Sequence, residues 1–128
     1  MLLRYVVHHH KSGKSHFDLR ICLDGVLRSW SLLREPPLRS GERRLAIERE
    51  SQPLEILQQA SVEEEAFGRG RIYTWDEGEV EILEASSKRI VMSFRGNKLS
   101  GKHEMRLMGW YPGNRWIMEK TGRKKRDS

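Results

Sequence analysis

Hydrophobic and polar residues alternate along most of this chain, and the alternation is clearest just after residue 15. Phe17, Leu19, Ile21 and Leu23 fall on one parity, and His16, Asp18, Arg20 and Cys22 on the other. A strand sends successive side chains to opposite faces, so the spacing predicts a strand over residues 16–23 with one apolar and one polar face. Asp24-Gly25 follows at once, a pair suited to a tight hairpin turn whose backbone needs positive φ. The return strand is predicted over residues 26–33 around Trp30. Arg34-Glu35-Pro36-Pro37 ends it, because proline cannot donate to a ladder.

Shorter alternating runs continue on both sides. Residues 4–7 read as a first strand, and residues 38–43 as a polar loop. Leu45 and Ile47 begin another strand, with Arg44, Glu48 and Glu50 on the opposite parity as a polar row behind an apolar face, closed by Gln52-Pro53. Leu54, Leu57 and Ala60 have roughly helical spacing, so one or two short helical turns are expected within residues 54–66. Strands are predicted over residues 71–76 and 79–83, separated by a turn at Glu77-Gly78, then over 90–95, 98–100, 102–108 and 115–120. Many short strands at close spacing predict a mainly β protein, a barrel or a sandwich.

Composition narrows the partners more than the fold. The chain has 128 residues, 37% hydrophobic and 33% charged, enough for one domain with one core and a heavily charged surface. That domain is expected over residues 1–120, followed by a basic, disordered tail at 121–128. The net charge of +6 favours a polyanion such as nucleic acid, although a soluble basic protein carries the same balance. Cys22 is the sole cysteine, which precludes an internal disulfide and fits a reducing cytoplasm. Arg4 directly follows Leu2-Leu3, so no secretory leader is expected, and no apolar run is long enough to span a membrane.

The polar face of residues 16–23 carries the candidate chemistry. His16, Asp18 and Arg20 line up on it, and a turn through Ser12-Gly13 would fold His10 back toward His16. His10, His16 and Asp18 then offer two nitrogens and one oxygen to a divalent cation, with Arg20 beside them for an anion. The competing reading is a solvated histidine flank and a surface ion pair between Asp18 and Arg20. Gly68-Arg69-Gly70 is too short a signal for a phosphate loop, and Glu63-Glu64-Glu65 fits a solvated face.

The run from His10 through His16-Phe17-Asp18-Leu19-Arg20, with Leu23-Asp24-Gly25-Val26-Leu27-Arg28-Ser29-Trp30 after it, resembles the 3′-phosphoesterase domain of bacterial DNA ligase D and its free-standing relatives. Arg44-Leu45-Ala46, Phe67-Gly68-Arg69-Gly70, Trp75-Asp76-Glu77-Gly78, Gly96-Asn97-Lys98-Leu99-Ser100-Gly101 and Trp116-Ile117-Met118-Glu119-Lys120 extend the resemblance over nearly the whole chain. It implies a small β-barrel with a concave active-site face and a Mn²⁺-dependent enzyme, Zn²⁺ or another divalent metal being the alternative. Its substrates would be DNA primer–template 3′ ends bearing a 3′-phosphate or a 3′-ribonucleotide. A DNA ligase or polymerase of the repair pathway is the implied partner. The protein is expected to be a cytoplasmic, nucleoid-associated monomer. By position His10, His16 and Asp18 match the metal ligands, Arg20 and Arg44 the residues at the phosphate, Arg34 a family lysine, and Glu50 an acidic residue beside the site.

The chain departs from that pattern on one wall. Gln52 stands where the family has a histidine expected at the scissile phosphate, and an amide donates a hydrogen bond but shuttles no proton near neutral pH. Ile56 replaces a tyrosine, and Val62-Glu63-Glu64-Glu65-Ala66-Phe67 lacks the proline and first glycine of its counterpart. Beside the end-processing enzyme stand two other expectations: a catalytically weakened nucleic-acid-binding or repair-scaffold module of the same fold, and a phosphatase or metal-binding protein for small substrates.

Overall fold

A computed structural model describes residues 2–11, 14–55 and 72–122. Eight strands follow in order: β1 (Leu2–His10), β2 (His16–Leu23), β3 (Val26–Leu32), β4 (Arg43–Gln52), β5 (Ile72–Ala85), β6 (Arg89–Gly96), β7 (Ser100–Leu107) and β8 (Arg115–Lys120). They close into a barrel in the order β1-β2-β3-β4-β8-β7-β6-β5, every neighbouring pair antiparallel. Closure leaves no free sheet edge. Between β2 and β3 the chain reverses at Asp24 (φ 52°) and Gly25 (φ 80°), the paired positive dihedrals that a two-residue hairpin requires.

The barrel interior takes one parity from each strand. Tyr5 and Val7, Leu19 and Ile21, Trp30 and Leu32, Ala46, Val80, Met92 and Phe94, Met105, and Trp116 and Met118 belong to one buried cluster. Trp30 and Trp116 meet edge to face with ring centroids 5.9 Å apart, a geometry that suits the ring quadrupoles. Beside them Arg28 lies over the Trp30 ring at 4.9 Å and donates from Nε and Nη2 to Glu48 Oε2 at 3.0 and 2.9 Å. Glu48 Oε1 accepts from Trp116 Nε1 at 3.0 Å, so the carboxylate is held on both oxygens.

Strand β4 corrects one expectation. Its inward residue is Ala46, fully buried opposite Trp116, and the parity of Arg44 and Glu48 goes with it. Leu45 and Ile47 face outward, and Leu45 is 41% exposed. The interior beside two tryptophans has room for a methyl group, and Arg28 requires Glu48 on that side, so packing overrides the polarity of the strand.

The predicted break at Glu77-Gly78 is likewise replaced: β5 runs unbroken through both residues. A Cβ at Gly78 would meet the Arg95 carbonyl oxygen at 2.5 Å, so this glycine permits close pairing of β5 with β6 rather than a turn. In place of the two strands expected at 98–100 and 102–108 there is one, β7, at Ser100–Leu107. Leu54 and Glu55 begin a short 3₁₀ turn. The rest of the expected helical turns, Ile56, the Glu63–Phe67 stretch, Gly68-Arg69-Gly70 and the end of the basic tail lie outside the described residues. Among the described residues there is no α-helix, and none long and apolar enough to cross a membrane.

Asp76 fixes the β6–β7 corner. It is 4% exposed and accepts from the Tyr5 hydroxyl at 2.6 Å and from the backbone N–H groups of Asn97, Lys98 and Leu99 at 3.0, 3.0 and 2.9 Å. Burial, and then the Asp76 carboxylate, push the Tyr5 phenol above its usual range, so it stays a donor. A Cβ at Gly96 would lie 1.7 Å from the Tyr5 hydroxyl and 2.6 Å from Asp76. The Trp-Asp-x-Gly and Gly-x-Lys-Leu-x-Gly motifs are therefore two halves of one structural lock. Asp76→Ala leaves three N–H groups and a phenol without their acceptor, and Gly96→Ala forces the pair apart. Urea denaturation should show each variant destabilised by about 3 kcal/mol, as for other losses of a buried polar network.

Candidate metal centre

The face of β1–β4 that points away from the core carries the candidate chemistry, and strand register sets its rows. One row runs Val6, Arg20, Ser29, Arg49; the next runs His8, Asp18, Ser31, Ile47; the third pairs His10 with His16. His8 is 3% exposed, Asp18 6% and Ser29 3%, although all three point outward, so this side of the barrel is recessed. Cross-strand neighbours stand about 5 Å apart at Cβ, close enough for side chains along a row to touch.

Asp18 is the meeting point. Its Oδ2 lies 2.9 Å from His10 Nε2, 3.5 Å from His16 Nε2 and 3.4 Å from Arg20 Nη2. Oδ1 accepts from the Ser31 hydroxyl at 2.6 Å. The His10 and His16 rings stack with centroids 4.5 Å apart. One ligand atom from each of His10, His16 and Asp18 lies within 4.8 Å of the others. His10 Nε2 is buried and makes no hydrogen bond among the described residues, despite its nearness to Asp18. Two ligand atoms 2.9 Å apart without an aligned proton have the spacing of donors to one shared ion, since ligands about 2.1 Å from a metal lie about 3 Å apart at right angles. The set therefore fits a divalent cation.

The charges support that reading. Burial alone would raise the Asp18 carboxyl, but the His10 ring, the Ser31 hydroxyl and the Arg20 guanidinium outweigh it and hold the group at about 2. Asp18 is an anion at any ordinary pH. His8 is pushed down to about 4, by burial first and then by Arg20 and His10, so its ring is neutral. Neutral His8 accepts at Nδ1 from Arg20 Nη1 at 2.7 Å. Arg20 also donates from Nε to Ser29 at 3.2 Å and from Nη2 to Asp18 at 3.4 Å. A guanidinium has five N–H groups, so this one, fixed by three partners, keeps two for an anion.

The other positions suggested by sequence do not converge there. Arg44 donates from Nε to the Glu35 carbonyl at 2.7 Å and from Nη1 to the Arg43 carbonyl at 2.9 Å, and with Arg34 it lines a groove of β3 and β4 that adjoins the cluster at Ser31. Glu50 is exposed, its side chain in no hydrogen bond or ion pair among the described residues. Gln52 turns its amide to the Glu50 carbonyl at 3.4 Å. Four residues that the sequence reading passed over do surround the cluster: His8, Ser29, Ser31 and Arg49. His8 shares a parity with His10, which was signal enough. Arg49 was hidden because the faces of β4 are the reverse of their polarity. Its Nε donates to the Ser31 hydroxyl at 3.3 Å, and its terminal nitrogens have no partner among the described residues.

The sequence is similar to parts of known proteins. A model of the DNA ligase D 3′-phosphoesterase domain matches residues 8–106. The multifunctional non-homologous end joining protein LigD of Pseudomonas aeruginosa is 31% identical over 127 residues, which cover 94% of this chain and 15% of that protein. The multifunctional non-homologous end joining DNA repair protein LigD of Mycobacterium tuberculosis is 25% identical over 126 residues, covering 94% and 16%. The LigD protein of Mycolicibacterium smegmatis is 28% identical over 114 residues, covering 80% and 15%. The chain spans about a sixth of the length of these curated relatives.

A pH prediction follows from His8. Its folded pKa lies below the ordinary 6.5, so between about 6.5 and about 4 the unfolded chain binds the extra proton. The stability tied to neutral His8 is complete above pH 6.5 and is lost as pH falls through that window. Thermal melts of wild type and His8→Gln between pH 7 and 4 should converge as the pH drops.

Proposed function

The chain belongs to the DNA ligase D 3′-phosphoesterase domain family, and on this footing we propose that it is a divalent-metal-dependent phosphoesterase that trims DNA 3′ ends for end joining. The observation that carries the reading is the His10, His16 and Asp18 cluster with an anchored Arg20 beside it. Its substrates are primer–template 3′ ends bearing a phosphate or a ribonucleotide. Removal of the phosphate breaks its P–O bond by addition of water and leaves the 3′-hydroxyl that a ligase or polymerase needs. We propose Mn²⁺ as the metal, since an imidazole–carboxylate set with open positions accepts it; the same donors accept Zn²⁺. Bound there, a divalent ion supplies charge that polarises a phosphoryl oxygen and lowers the pKa of water.

The chain's own residues do the rest. Arg20 presents its two remaining N–H groups to the phosphate oxygens, held in place by His8, Ser29 and Asp18. Fixed donors of this kind stabilise charge that develops in the transition state without reorganising. Arg49 is the second cation at the phosphate, a place the sequence reading gave to Arg44. The fork of a guanidinium suits two phosphate oxygens at once. The net charge of +6 grips the DNA backbone without reading sequence. The cytoplasm, beside the nucleoid, is the compartment in which this substrate occurs.

Gln52 favours a second reading, a weakened enzyme that serves chiefly to bind DNA ends. Its amide donates to the Glu50 carbonyl, and it shuttles no proton near neutral pH.

A primer–template with a 3′-phosphate, incubated with Mn²⁺, separates the two. Turnover should appear with Mn²⁺, vanish with EDTA, and fall by at least about 100-fold in His16→Ala, as when a metal ligand is lost. Salt-sensitive DNA binding without turnover, unchanged in His16→Ala, would favour the binding module. Arg49→Gln should lower kcat/KM by about 10- to 100-fold, as expected when a charged hydrogen bond to a phosphate is removed. Gln52→His should raise kcat if the amide limits the rate.

A further inference from the structure

A groove of about 260 Å³ opens on the outer face directly beside the metal cluster. Leu33, Leu45 and Ile47 give it an apolar floor, and Arg34, Arg43, Arg44 and Ser31 line it as well. Ser31 is also the residue whose hydroxyl donates to Asp18 at 2.6 Å, so groove and cluster share a wall. The floor is unusual for an outer strand face: Leu33 is 65% exposed and Leu45 41%. Exposed leucines side by side on a barrel of this charge leave apolar area in water with no folding role, which marks a binding surface.

From this geometry we infer that the groove seats the nucleoside carrying the 3′-phosphate, an inference that rests on the phosphoesterase reading and adds its substrate subsite. Continuity with the cluster fixes the direction. The phosphate lies at the Ser31 end, the sugar and base lie over Leu33, Leu45 and Ile47, and the preceding backbone phosphate meets Arg34 and Arg43. Arg43 is available for this: its side chain is 66% exposed and, among the described residues, pairs with Glu119 at 3.5 Å. The volume holds one nucleoside rather than a stretch of duplex; pockets for drug-sized molecules begin at about 300 Å³. An aliphatic floor offers no hydrogen bonds to base edges, so the site accepts any base and reads only that one is present.

The test uses the full chain and an oligonucleotide with a 3′-phosphate on a terminal 2-aminopurine, whose fluorescence reports its surroundings. Leu33→Ser/Leu45→Ser removes the floor at two exposed positions, and Leu83→Ser alters an equally exposed leucine on β5. The floor variant should raise KM for the oligonucleotide about tenfold or more with a smaller change in kcat, the scale expected for lost apolar pocket contacts. It should also abolish the fluorescence change on binding, while Leu83→Ser keeps both values. A floor variant with wild-type KM and an unaltered fluorescence change overturns the subsite and leaves the phosphoesterase reading intact. Wild-type protein that gives no hydrolysis, yet gives a fluorescence change that the floor variant loses, defeats that reading and keeps the subsite. No fluorescence change in wild type also overturns the subsite.

Discussion

The candidate site depends on one buried carboxylate. Asp18 sits on the outward face of β2, yet it is 6% exposed and touches two imidazoles, a hydroxyl and a guanidinium. Taking a carboxylate out of water is costly unless opposite charge and hydrogen bonds compensate. Here the compensation is the candidate site itself: the groups that keep Asp18 ionised are His10, Ser31 and Arg20, the same side chains that surround it. Each oxygen has its own task. Oδ1 is tied through Ser31 to β3 and onward to Arg49 of β4, while Oδ2 faces His10, His16 and Arg20.

The barrel separates fold from chemistry by parity. Its interior is aliphatic, aromatic and thioether packing, closed near one end by Arg28, Glu48 and Trp116. The Asp76 lock, reached through Tyr5, orders the β6–β7 corner. The strand β4 serves both sides: Ala46 and Glu48 complete the interior, while Leu45, Ile47 and Arg49 complete the outer face. A change on one parity of β4 is therefore felt in packing, and on the other in the site.

The motifs that this chain shares with the DNA ligase D 3′-phosphoesterase domain family divide in two by their physical setting. The His10 to Arg20 run supplies the candidate cluster of two imidazoles and a carboxylate, with a guanidinium beside it. The Trp-Asp-x-Gly and Gly-x-Lys-Leu-x-Gly runs supply an acceptor and the bare backbone that lets β5, β6 and Tyr5 approach it. Among the described departures, Gln52 is engaged with its own strand.

The sequence by itself determined the strands with clean alternation. β2 and β8 have their predicted limits, and the Asp24-Gly25 turn has its predicted dihedrals. It also pointed to His10, His16 and Asp18 as one candidate cluster, because His16 and Asp18 share a strand face and a turn before His16 can fold His10 back toward them. Period-two alternation is a local property, set by the backbone of one strand. Which face of β4 looks inward, and hence that Arg49 rather than Arg44 joins the cluster, was decided only by the tertiary structure. A half-polar strand satisfies either orientation alone, and the choice was made by Trp30, Trp116 and Arg28 on two other strands. The continuity of β5 through Glu77-Gly78 was decided in the same way, by the Arg95 carbonyl across the pair.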